Sequence, residues 1–507
     1  MTHSKQVMRS GVKVFSSQIL INLFSIGFTV FLAHVLPKTD FATFAVFGIL
    51  SGLIPVIVSL GLETSCIQCA PELIGEGKID EASAMLKTTL LNRIFLSVFF
   101  AALVFIFSAM ICQVFLKTGR YDLIIKIMSL GLLFASLTDS LTLLTQVTQQ
   151  FGKISLISVI VTISSRTLSI VLYFALGLKG YIIGLAWTPL IGIGLYILIL
   201  RQFLFRKSGF YPWTKLVKYS LPFYGRGFVR FGLIQFDQLI VGVFLEPTVL
   251  STYFITRRVS EYIFMIATAL SDPVLVKISE LKKNGLGRVK QMFNKTSRYY
   301  SFVFVPLCLG VASASYFLLH LCGGYKYTDG TSILVLLSLG MMMYCLSIPY
   351  VIDVFLLGKP KETLKLDGVG GITSAIFAIC VIFLLGVVGI AIGRALSFIV
   401  SLFYGRHLLR KIIIVKFDKK ALKDSLTASF VMAAVIVVLQ SIYYNLVIIP
   451  LYILVGVITF MLIFSRRLER KDLELVEDFL PDRFRGLVKM FYWFGAEKLE
   501  PQIKTGV

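Results

Sequence analysis

Charged side chains interrupt several apolar runs of this chain, and those charges are where chemistry is to be sought. Arg226, Arg230 and Asp237 stand four and seven residues apart in one run, so at 3.6 residues per turn they share one stripe of a helix. The next run carries Arg257, Arg258 and Glu261, and others carry Arg166, Arg394, Asp139, Asp353 and Glu63. Inside a bilayer each ionisable group costs roughly 2.5–3.5 kcal/mol on insertion scales, so it normally faces a watery cavity or a partner. A guanidinium forks onto phosphate oxygens and stays charged when partly desolvated. Arg226, Arg230, Arg257, Arg258, Arg166 and Arg394 are therefore the candidates for a cavity that takes an anionic cargo. Asp237, Glu261, Asp353, Asp139 and Glu63 are the candidates for holding a proton or a sodium ion. The plainer alternative is helix locking, Arg257 with Glu261 and Arg230 with Asp237.

The composition demands a membrane. Of 507 residues, 57% are hydrophobic and only 15% charged, with a mean hydropathy of +0.86, far from the balance of a globular domain in water. The seven cysteines are scattered through apolar runs, so neither a disulfide framework nor a metal site is expected, and Cys66 and Cys69 read as a helix end. No P-loop, D-x-D, H-E-x-x-H or G-x-S-x-G motif occurs, so no cofactor and no enzymatic activity are expected.

A hydrocarbon core of about 30 Å needs roughly 20 apolar residues per helical crossing. Runs of that length fall at 14–36, 42–65, 89–112, 123–146, 154–177, 181–204, 222–245, 250–272, 298–320, 331–355, 366–386, 388–408, 425–444 and 446–465. The fold expected is an all-α integral membrane protein of about 14 spans. The breaks on the amino-terminal side hold about 37 lysines and arginines, against about five on the other, which places both termini in the cytoplasm. Topology and anionic lipid account for the net charge of +23, so no nucleic-acid partner is needed. The outer breaks are too short for an extracytoplasmic domain. Beyond residue 466, apolar residues recur at helical spacing among arginines, a pattern suited to the inner membrane surface.

The two halves repeat. Gly177, Gly180 and Gly184 return as Gly386, Gly389 and Gly393, each 209 positions on; Pro37 and Phe44 return as Pro247 and Phe254, and Gly75 and Gly77 as Gly285 and Gly287, at 210. Six spans in each half predict parallel repeats about an axis along the membrane normal. The organisation expected is an amino-terminal lobe over 1–210, a carboxy-terminal lobe over 211–420, two appended spans over 421–466 and a cytoplasmic amphipathic tail over 467–507.

The opening SGVKVFSSQILINLFSIGFTVFLAHVLPKTDFATFAVF, the following SLGLETSCIQCAPELIGEGK and the paired LGLKGYIIG and LGVVGIAIG resemble the Wzx-type O-antigen flippases, a polysaccharide-exporter branch of the multidrug/oligosaccharidyl-lipid/polysaccharide (MOP) superfamily. The resemblance runs from about Gly11 to Arg466. It implies alternating access between two lobes and movement of an undecaprenyl-pyrophosphate-linked oligosaccharide from the cytoplasmic to the periplasmic leaflet of a bacterial inner membrane. It also implies ion-gradient coupling, a cationic lumen from the seventh and eighth spans, and work alongside a polysaccharide polymerase or chain-length regulator. A lipid II flippase and a cation-coupled multidrug exporter of the same superfamily are the alternatives. The exporter fits less well, because cationic drugs favour an acidic cavity and this chain offers arginines.

Overall fold

The computed structural model of the chain describes residues 3–282, 285–358 and 360–465. The amphipathic tail expected over 467–507 lies outside the described residues. Within them the chain is helical: α1 (His3–Val35), α2 (Lys38–Ser59), α3 (Leu62–Gly75), α4 (Ile79–Ile106), α5 (Ser108–Leu116), α6 (Asp122–Thr145), α7 (Phe151–Trp187), α8 (Pro189–Leu204), α9 (Trp213–Phe244), α10 (Pro247–Lys282), α11 (Leu286–Ser313), α12 (Ser315–Gly323), α13 (Thr331–Leu357), α14 (Pro360–Arg410), α15 (Lys419–Ile442) and α16 (Ile449–Ser465). No strand occurs among the described residues. That outcome follows from the solvent, since in hydrocarbon a helix satisfies every backbone donor and acceptor within one segment.

Among the described residues, nine helical stretches are long and apolar enough to cross a bilayer, or ten with α11 and α12 taken as one span bent by 70°. Two stretches, Phe151–Leu204 and Leu364–Arg410, run to 54 and 47 residues, about twice what one crossing needs. Each is broken at a glycine and counts as two crossings. With α11 and α12 as one span, α10, which is long but charged, and the 17-residue α16, the described residues make the fourteen crossings expected.

The breaks reveal the repeat. Gly177 has φ 62° and ψ −145°, and Gly386, 209 residues later, has φ 56° and ψ −136°. That region of backbone space is essentially closed to residues with a Cβ. Three residues beyond each break a glycine folds against a carbonyl: Gly180 against that of Leu172 and Gly389 against that of Val381, again 209 apart. Gly131 lies against Ala186, and Gly340 against Ala395, at the same offset. Small residues let the backbones approach, which is how membrane helices gain packing energy where lipid supplies no hydrophobic drive. One register shifts by two residues. The glycines with positive φ just ahead of α4 and α11 are Gly77 and Gly285, so the structural pairing there is 208, not 210.

Four breaks fall where the sequence reading placed none, and one of them, Thr188 ahead of Pro189, keeps helical dihedrals. Leu60 and Gly61 take left-handed conformations and separate α3 from α2, so Cys66 and Cys69 lie on a helix of their own, not at the end of the second span. Phe107 and Ala314 end α4 and α11 with similar dihedrals, and each is followed by a nine-residue helix opening on a buried serine, Ser108 or Ser315. Neither break carries a proline or glycine, and hydropathy does not register them.

Two compact units divide the chain. The first comprises residues up to Ile255 with Leu321–Tyr327 and Asp367–Arg394; the second comprises Thr256–His320, Thr328–Leu366 and the chain from Ala395 on. In the first unit α1 packs along α7 and α4 along α6. Phe41, Phe44, Tyr181, Phe254 and Tyr327 form a cluster of edge-to-face rings with centroids 5.4–6.0 Å apart. Lys326 fastens its short segment by donating to the carbonyls of His34 and Leu36 at the carboxy end of α1, at 3.3 and 2.6 Å, where helix carbonyls otherwise lack partners. In the second unit α11 packs on both α13 and α15, with Phe304, Cys308, Cys345 and Phe398 at the centre of its core.

Candidate functional site

The stripe on α9 divides by depth. Arg226 and Arg230 are exposed, whereas Asp237, two turns further on, is 1% exposed. Arg226 Nε lies 3.9 Å from Asp367 Oδ2 on α14, a loose contact that leaves the guanidinium 45% exposed. Asp237 is held tightly. Arg394 Nη1 donates to Asp237 Oδ2 at 2.8 Å and to the Ile234 carbonyl at 3.1 Å, and the Tyr253 hydroxyl donates to the same carboxylate oxygen at 2.6 Å. Asp237 therefore pairs with Arg394 of another helix, not with Arg230. Neutralising Asp237 would strand a buried guanidinium that does not deprotonate.

On α10, Glu261 receives two arginines. Arg257 is buried and its Nη2 lies 2.8 Å from Glu261 Oε1, while the exposed Arg258 reaches Oε2 at 3.3 Å. This is the i,i+4 and i,i+3 geometry of a helix surface. Arg166 of α7 stands over the ring of Phe28 with its Cζ 4.5 Å from the centroid, a cation–π contact.

The remaining acids separate into two kinds. Glu63, in the first turn of α3, lies 3.2 Å from Arg93, and both side chains are 3% exposed. Arg93 donates from Nε and Nη2 to the Ser136 carbonyl and from Nη1 to the Pro55 carbonyl, all at 3.1–3.2 Å. Asp139, one turn beyond Ser136 on α6, is exposed. Asp353 of α13 is different: like Glu63 it is buried with neither carboxylate oxygen hydrogen-bonded among the described residues, but no guanidinium or ammonium of those residues pairs with it as Arg93 does with Glu63.

The structure thus brings together Asp237 with Arg394, Glu261 with Arg257 and Arg258, and Glu63 with Arg93. It leaves Arg226 and Arg230 open on α9. Three residues that the sequence reading missed take part: Arg93, Asp367 and Tyr253. Arg93 carried a usable signal, an arginine between LLN and IFLSVFF. The sequence reading did not single it out; α4 begins at Ile79 and places Arg93 about 21 Å along the helix.

Comparison with known proteins gives the setting. A family model described as polysaccharide biosynthesis protein matches residues 31–332. The chain is 20% identical over 440 residues to the probable low-salt glycan biosynthesis flippase Agl15 of Haloferax volcanii, covering 84% of this chain and 89% of that protein. The fold is similar to the lipid II flippase MurJ in an inward closed conformation, with a TM-score of 0.74 at 17% identity over 90% of this chain and 98% of that one. It is also similar to an inward-facing multidrug resistance MATE family transporter of the MOP superfamily, with a TM-score of 0.61 at 13% identity over 79% and 98% of the two chains.

Proposed function

This chain belongs to the polysaccharide biosynthesis protein family, and on that premise we propose that it is a flippase for an undecaprenyl-pyrophosphate-linked oligosaccharide, an O-antigen or related surface polysaccharide unit. It carries the unit from the cytoplasmic to the periplasmic leaflet of a bacterial inner membrane by ion-coupled alternating access, with both termini in the cytoplasm. A polysaccharide polymerase or chain-length regulator takes up the product.

One observation carries the reading: Arg226 and Arg230 stand exposed within a helix that is otherwise apolar enough to cross a bilayer. Such charges are retained in membranes where a cargo or water meets them, and paired guanidiniums match the oxygens of a pyrophosphate. The opposite polarity is poorly supplied. Asp237 and Glu261 are committed to guanidinium partners, which disfavours a cationic drug as cargo. For coupling, Asp353 is the strongest candidate, because a buried carboxylate without donors is costly as an anion and binds a cation readily.

A strain lacking the protein is expected to lose surface polysaccharide and to accumulate the lipid-linked unit on the cytoplasmic face. Complementation by the double variant Arg226→Ala, Arg230→Ala is expected to restore protein level but little polymer. Full polymer export by that variant removes the two arginines from the cargo path, and normal export by the deletion strain removes the function. Loss of viability in a strain that makes no surface glycan points instead to a lipid II flippase.

A further inference from the structure

On the face opposite the termini two lysines tie the chain to itself, and the internal repeat relates them. Lys117, between α5 and α6, donates to the carbonyl of Val243 in the last turn of α9 at 2.6 Å and to that of Val114 at 2.7 Å. Lys326, between α12 and α13, donates to the carbonyls of His34 and Leu36 at the end of α1 at 3.3 and 2.6 Å. The two donors stand 209 positions apart, and so do the acceptors His34 and Val243, which is the offset of the glycine breaks. Since α1 and α9 open the two repeats, each lysine reaches out of its own repeat to the first helix of the other. A pseudo-two-fold axis along the membrane normal produces such an exchange. All five residues belong to the first compact unit.

The chemistry is that of a fastening that can be undone. The last carbonyls of a helix lack intrahelical partners and carry the negative end of its dipole, so an ammonium on them makes a charge-assisted hydrogen bond. Lys117 is exposed and Lys326 half-buried, so water can take over at either when the contact parts. A ring braces each contact. A Cβ added at Gly242 would come within 2.7 Å of the Phe115 ring, and the Tyr327 ring stands edge-on to Phe41 with centroids 6.0 Å apart. Basic residues are scarce on this face, about five in all, and two of the five are spent on carbonyls of the opposite repeat. We propose that Lys117 and Lys326 are a reciprocal pair of gate clasps, which hold this face shut while cargo enters from the other and release together for cargo to leave. This rests on the alternating access of the preceding section. Because one axis relates the two contacts, a movement that draws the repeats apart on this face stretches both at once.

The test measures spin-label distances on the purified full chain in nanodiscs, without cargo and in a cysteine-free background. One label pair, Gly119→Cys with Glu246→Cys, spans the Lys117 clasp, and the other, Val35→Cys with Tyr325→Cys, spans the Lys326 clasp; all four positions are exposed. Each pair is expected to give a dominant short distance while both lysines are present. Lys326→Met, which keeps the stem and removes the donor, is expected to raise the ratio of long to short distances about tenfold across both pairs, the effect of one charge-assisted hydrogen bond. Lys117→Met is expected to do the same, the double variant to raise the ratio about a hundredfold, and Lys→Arg at either site to restore the short distance. A lysine that only pins its own turn lengthens the pair beside it and leaves the other unmoved. That outcome overturns the proposal, as does a double variant in which neither pair lengthens. The distances are read without cargo, so their failure leaves the proposed cargo standing, and normal export by the deletion strain leaves the clasps standing.

Discussion

At the scale of single residues, what separates the charges of this chain is whether a partner is already in place. Arg394 and Asp237 are 6% and 1% exposed and make a 2.8 Å contact. Removing one member of such a pair leaves an uncompensated buried charge, which typically costs about 3–5 kcal/mol, whereas replacing both by apolar groups is often close to neutral. Asp237→Leu and Arg394→Leu are each expected to lower the melting temperature of the purified protein sharply, and the double variant to recover most of the loss. Melting temperatures that fall additively in the double variant would show that the two charges act apart. Arg226→Leu, whose guanidinium is half exposed and only 3.9 Å from its nearest acid, is expected to leave stability nearly unchanged. The individual charges were legible in the sequence because each interrupts an apolar run. Their pairings were not, since the partners of Asp237 and Arg226 stand on α14, 157 and 141 positions away in the chain, and helical spacing reports only neighbours on the same helix.

At the scale of elements, the two glycine breaks are the devices on which the hairpins of the fifth and sixth and of the eleventh and twelfth crossings depend. Gly177 and Gly386 hold nearly the same dihedrals, with positive φ, and a Cβ in that region costs of order 1–3 kcal/mol. Gly177→Ala and Gly386→Ala are each expected to destabilise the protein by about that amount in thermal or denaturant unfolding. Gly194→Ala, at a helical glycine with open space around it, is the control expected to change little, and equal effects at all three sites would show that the breaks are not strained. The same comparison explains what sequence could and could not show about elements. Glycines matched at a constant offset announced these breaks, because a position that needs positive φ leaves a residue type behind. The breaks at Phe107 and Ala314 leave no such mark, since no proline or glycine stands at either to forbid a helix.

At the scale of the whole molecule, the hydropathy of the chain dictates its crossings, and the distribution of lysine and arginine is the ground for the direction proposed for them. The crossings were readable because the requirement of about 20 apolar residues per span is set by the bilayer and not by neighbouring helices. The lysine clasps were not readable. They reach carbonyls 126 and 292 positions away, and a backbone carbonyl can belong to any residue type. Direction is a separate question from crossing, and the proposed cytoplasmic placement of both termini rests on charge alone: basic residues near the membrane tend to be retained on the cytoplasmic side because moving them across opposes the membrane potential and loses their anionic lipid contacts. Lys207 lies in the exposed turn between α8 and α9, and Gly119 in the exposed turn between α5 and α6, so the two report opposite faces. In a cysteine-free background of the full chain, a membrane-impermeant thiol reagent is expected to label Gly119→Cys in intact spheroplasts and Lys207→Cys only after permeabilisation. The reverse pattern would invert every leaflet assignment made above, and with it the direction in which the arginines of α9 meet their cargo.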